Sequence, residues 1–93
     1  MIKHIVMWTL NDKSDATKVK TMLEALKDKV PSIIEIEVGI DFNGSDAAAD
    51  VVLYSTFASL DDLNAYQQHP EHQAVIPFMQ SVTSGRKVVD YEI

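Results

Sequence analysis

Residues 2–9, IKHIVMWT, read as a β-strand that is apolar on both of its faces. With alternating side chains, Ile2, His4, Val6 and Trp8 point one way and Lys3, Ile5, Met7 and Thr9 the other, and both rows are largely hydrophobic. Such a strand has to be covered twice. A chain of 93 residues can form one core, but it is below the size at which a monomer buries its surface comfortably. A homodimer is the expected remedy.

The rest of the chain supplies alternating elements. After the polar turn NDKS, Ser14 is the expected N-cap of a helix in which Val19, Met22, Leu23, Leu26 and Val30 recur at helical spacing as far as Pro31. The run SIIEIEVGIDF sets Ile34, Ile36, Val38, Ile40 and Phe42 on one face of a strand and Glu35, Glu37 and Asp41 on the other. NGSDAAAD turns the chain, and VVLYSTF is a further strand ending at Phe57, so these two should pair antiparallel. Ser59 and Asp62 fit a capping box that opens a helix with Leu60, Leu63 and Tyr66 on one face. Pro70 disfavours helical geometry at His69, and a second helical piece then carries Val75, Ile76, Phe78, Met79 and Val82. Pro77 inside it is expected to kink or restart the helix. After TSGR, KVVDYEI closes the chain as the last strand. The order β-α-β-β-α-β in one domain over residues 1–93 is the ferredoxin-like α+β plan, with helices on one face of an antiparallel sheet. The other face is expected to pack against a partner copy, giving a dimeric α+β barrel.

Composition excludes several functions. Fourteen acidic against eight basic residues give a net charge of −6 with no Lys/Arg stripe, so nucleic acid is not an expected partner. The absence of cysteine removes disulfides, thiol nucleophiles and thiolate metal sites together. No run of about 18 apolar residues offers a membrane span, so the chain is expected to be soluble and cytoplasmic. It has no phosphate-cradling glycine loop, no Ser-His-Asp context and no dinucleotide fingerprint, and no cofactor is expected.

The chemistry concentrates in AYQQHPEHQAV, residues 65–75, which holds two of the three histidines. In an unbroken helix Tyr66 and His72 would lie about 120° apart around the axis. The His69-Pro70 break can re-aim His72 so that both look into the space between helix and sheet. In the ferredoxin-like plan the first and last strands are antiparallel neighbours, which brings His4 near Asp90. Asp90 interrupts an apolar run, and a carboxylate there could orient a histidine as a base while a phenol donates to a developing oxyanion. Each residue also has a plainer reading: His69 as a helix cap, Tyr66 as a core aromatic, His4 as a satisfied sheet histidine. His69, Glu71 and His72 resemble a metal cluster, but zinc needs three or four convergent ligands and the proline break works against convergence, so no metal is expected.

The pieces KHIVMW, YSTFASLDDLNAYQQHPEHQAV and VVDYEI resemble the stress-responsive dimeric α/β-barrel (Dabb) family over essentially the whole chain. That resemblance implies a ferredoxin-like homodimer with a cavity in each subunit. A plant polyketide-cyclase branch of the family performs aldol closure with a tyrosine, a histidine and an aspartate, which by motif position correspond to Tyr66, His72 and Asp90, with His4 on the first strand. Haem-degrading relatives of the wider superfamily use an asparagine on that strand, where this chain has His4. Two functions follow as expectations. In one, His72, oriented by Asp90, abstracts a proton next to a carbonyl while Tyr66 stabilises the enolate. In the other, the same cavity holds a small apolar or aromatic molecule unchanged, or the dimer is a stress-linked interaction module.

Overall fold

The doubly apolar strand β1 (Ile2–Leu10) lies inside a four-stranded sheet, in a computed structural model that describes residues 1–93. It pairs antiparallel with β3 (Val51–Phe57) on one side and β4 (Thr83–Glu92) on the other, and β2 (Glu35–Ile40) completes the order β2-β3-β1-β4. Helices α1 (Ala16–Glu24), α2 (Leu60–Gln68) and α3 (Pro70–Val82) supply the covering layer. This is the ferredoxin-like α+β arrangement.

The row Ile2, His4, Val6 and Trp8 is buried beneath that layer, joined by Val38, Leu53 and Phe57 from the neighbouring strands. Val19 and Leu23 of α1, Leu63 and Tyr66 of α2, and Val75 and Met79 of α3 close over them as one core. Each aliphatic side chain taken fully from water contributes about 1.5–3 kcal/mol, and this core offsets the chain entropy. The opposite row differs: Met7 is 41% exposed, and Val89 and Tyr91 of β4 are 56% and 45% exposed on the same face.

Local chemistry sets the element ends. Ser59 Oγ accepts from the Asp62 N–H at 3.1 Å, as the capping pattern implies. At the start of the first helix it is Asp12, not Ser14, that caps: its carboxylate accepts from both the N–H and the hydroxyl of Ser14. A short 3₁₀ turn, Lys13–Asp15, then leads into α1. An ionised carboxylate is the stronger acceptor, so the serine donates to it instead of capping. Edge strand β2 is blunted by α1, where Glu24 accepts from the Val38 N–H at 3.0 Å and Lys20 Nζ donates to the Val38 carbonyl at 2.6 Å.

Three further expectations are corrected. The TSGR segment belongs to β4, which starts at Thr83; a register shift between Thr9 and Leu10 absorbs an extra residue there, so the turn-like composition marks a bulge. The second strand ends at Ile40, leaving Ile40 44% exposed and Phe42 beyond the sheet, fully exposed. Helix α3 runs from Pro70 to Val82 without restarting at Pro77, its flanking turns held by the buried Val75 and Met79.

Candidate functional site

The break between α2 and α3 builds the site. His69 is extended, with φ −64° and ψ 137°, and its Nδ1 accepts from the Glu71 N–H at 3.1 Å, so it caps α3 while Pro70 occupies the first turn. The chain changes direction there, and the rings of Tyr66 and His72 come together with centroids 4.5 Å apart. Tyr66 also meets Phe57 at 5.2 Å and the edge of His4 at 6.2 Å. Tyr66, His72 and His4 line a cavity of about 360 Å³, between the sheet and the helical layer, whose walls include Val6, Trp8, Leu53, Val75 and Met79.

Hydrogen bonding assigns the histidine tautomers. His72 Nδ1 lies 3.1 Å from the main-chain carbonyl of Gln67. A carbonyl only accepts, so Nδ1 carries the hydrogen and Nε2 of the neutral ring keeps a free lone pair. Burial holds the His72 pKa below the ordinary histidine value against the upward pull of the Gln67 carbonyl, and the positive charge of Arg86 acts in the same direction as burial. The ring is therefore a neutral base at pH 7. Tyr66 is 1% exposed, and burial pushes its phenol up to about 12 despite the opposing charge of Arg86. It stays protonated as a donor, and no protein group hydrogen-bonds its hydroxyl.

The β1–β4 register sets His4 opposite Asp90, and the Asp90 carboxylate accepts from His4 Nδ1. His4 is 3% exposed, and this bond leaves its Nε2 for the cavity. The expectation that Asp90 orients His72 is thus corrected: Asp90 holds His4, and a main-chain carbonyl holds His72. Metal-like convergence does not arise either. His69 and His72 are turned to separate partners, Glu71 lies 3.9 Å from Lys29, and nowhere do three His, Asp or Glu side chains gather as ligands.

Gln80, Thr83 and Arg86 also line the cavity, and the sequence reading overlooked them. The sequence reading starts the last strand at Lys87, one residue after Arg86. Extending the last strand back to Thr83 would have placed it opposite Trp8, on the same face as His4 and Val6.

A four-stranded antiparallel sheet with one helical layer, enclosing a cavity onto which histidine and tyrosine side chains converge, defines a ferredoxin-like α+β domain. Residues 2–93 match the family model of the Stress responsive A/B Barrel Domain, and the chain belongs to that family. It is similar to the stress-response A/B barrel domain-containing protein DABB1 of Arabidopsis thaliana, with 29% identity over 98% of this chain and 46% of that protein. The chain spans less than half the length of the curated relatives it matches. Among solved structures, a dimeric protein of unknown function with a ferredoxin-like fold from Bacteroides fragilis is 36% identical, with a TM-score of 0.89 over 99% of this chain and 95% of that one. A hydroxynitrile lyase from Passiflora edulis shares the fold with a TM-score of 0.86 at 18% identity, over 99% of this chain and 92% of its own.

Proposed function

We propose that this protein is a homodimer joined through the open sheet face, and that each subunit's cavity takes a small apolar or aromatic carbonyl compound and moves a proton at the carbon beside the carbonyl. The observation that carries the reading is the pairing of a neutral His72, its Nε2 free, with a Tyr66 hydroxyl that has no protein partner in an apolar cavity. Nε2 of His72 takes the proton from the substrate carbon, and the electron pair moves onto the carbonyl oxygen to form an enolate. Tyr66 donates its hydrogen bond to that oxygen, where charge develops in a site of low dielectric. The enolate carbon then attacks a second carbonyl of the same molecule, and the His72 imidazolium returns the proton to the new alkoxide. Where no second carbonyl is present, the proton returns to the same carbon, and the result is hydrogen exchange or, by return to the opposite face of a stereocentre, isomerisation to the epimer. His4, held by Asp90, offers Nε2 as an acceptor for a substrate hydroxyl or a water.

The exposed Met7, Val89 and Tyr91 support the dimer, as does the dimeric state named for the Bacteroides fragilis protein. The hydroxynitrile lyase supports the fold as a host for enzymes.

Deuterium exchange into the methyl group of acetophenone, followed by NMR in D₂O, tests the chemistry. Exchange should exceed the buffer rate, fall by about 10²–10⁴ in His72→Ala and fall less in Tyr66→Phe. Exchange at the buffer rate, with the ketone bound, overturns catalysis and leaves the cavity as a binding site.

A further inference from the structure

The cavity has two chemically different ends. Its buried lining includes His4 and Tyr66, whereas Arg86 and Gln80 are exposed lining residues and therefore form the rim. Arg86 is the one permanently charged side chain that lines the cavity, and it takes part in none of the protein's four ion pairs. Its register partner across β1 is Trp8, so it stands on the inward face of the sheet, in the same row as Asp90 four residues along β4.

We infer that Arg86 selects ligands that bear a single carboxylate, held at the rim, besides the carbonyl that lies against His72 and Tyr66. This rests on the small-molecule reading of the cavity and adds the class of ligand. A guanidinium without an intramolecular carboxylate presents a fork that matches a carboxylate bidentately. One arginine, with no lysine in the lining, complements a monoanion and leaves a phosphate dianion half neutralised. The anion belongs at the rim, because at the apolar deep end it would lose its hydration.

Trp8 is the chain's only tryptophan and lines the cavity, so its fluorescence reports binding directly. The probes are benzoylbutyrate, its neutral amide, and phenyl phosphate. The wild-type protein should bind benzoylbutyrate about tenfold or more tightly than the amide, and more tightly than phenyl phosphate. Arg86→Gln should bring the acid-to-amide ratio to about one with amide affinity unchanged, which also shows the cavity intact. Arg86→Lys should keep part of the preference, as a point charge without the fork. Equal binding of acid and amide, or a preference that survives Arg86→Gln, overturns the role of Arg86 and leaves the cavity. A preference for phenyl phosphate overturns the stated ligand class. Binding of no probe overturns the ligand class and the cavity reading together.

Discussion

On β1, His4, Val6 and Trp8 are at most 7% exposed, whereas Met7, on the other face of the same strand, is 41% exposed. Both rows are apolar enough to require burial, and they differ only in what covers them. One row meets the helices, because α1, α2 and α3 all carry an apolar stripe and pack on the same side. The other row meets nothing within the chain. It gathers Met7, Val89 and Tyr91, with Lys3 donating to the Tyr54 hydroxyl at its edge. Hydrophobicity states that a side chain needs a cover, and topology states where that cover comes from.

The largest expected effect lies on the covered face. Phe57 is fully buried against Tyr66, and Phe57→Ala should cost about 3–5 kcal/mol in urea unfolding, independent of protein concentration. A loss below about 1 kcal/mol would mean that the two faces do not differ in the way their burial indicates. On the open face, Met7→Asp should leave the protomer's circular dichroism unchanged and weaken self-association by about a hundredfold, about 3 kcal/mol. Sedimentation velocity reads this directly, and an unchanged dimer would place the contact on another surface.

The smallest expected effect is a pH dependence. His72 has a folded-state pKa below its unfolded value of 6.5, so the unfolded chain binds its proton first as the solution is acidified. The His72 contribution is therefore favourable above pH 6.5 and declines as pH falls through 6.5 toward the folded pKa. Imidazole NMR should show a midpoint for His72 below 6.5, and His72→Gln should flatten the stability profile across that window. A His72 midpoint above 6.5 would show that the site stabilises a cation there, contrary to a dry, neutral base.

Much of this molecule was legible in the sequence because short-range rules govern it. The alternation in IKHIVMWT, the Ser59-to-Asp62 cap and the His69-Pro70 break all act within a few residues, and the strand order follows from them. The pairing of His4 with Asp90 was legible as well, since antiparallel first and last strands impose it. What escaped depended on choices between competing local groups or on main-chain atoms. Asp12 took the cap from Ser14 because its carboxylate is the better acceptor. A Gly-containing TSGR run has the composition of a turn and the structure of a bulge, and this concealed Arg86.

The sequence by itself determined the element order, the two apolar rows of β1 and the His69-Pro70 break that lets His72 turn towards Tyr66. It also determined that the chain carries neither cysteine chemistry nor a basic surface. Only the tertiary structure decided which row is covered by helices, that a main-chain carbonyl and not Asp90 holds His72, and that Arg86 stands at the rim of the cavity. The reason is physical. Periodicity and capping are set by neighbours along the chain, whereas a hydrogen-bond partner such as the Gln67 carbonyl has no side-chain signature and is chosen by the packing of α2 and α3.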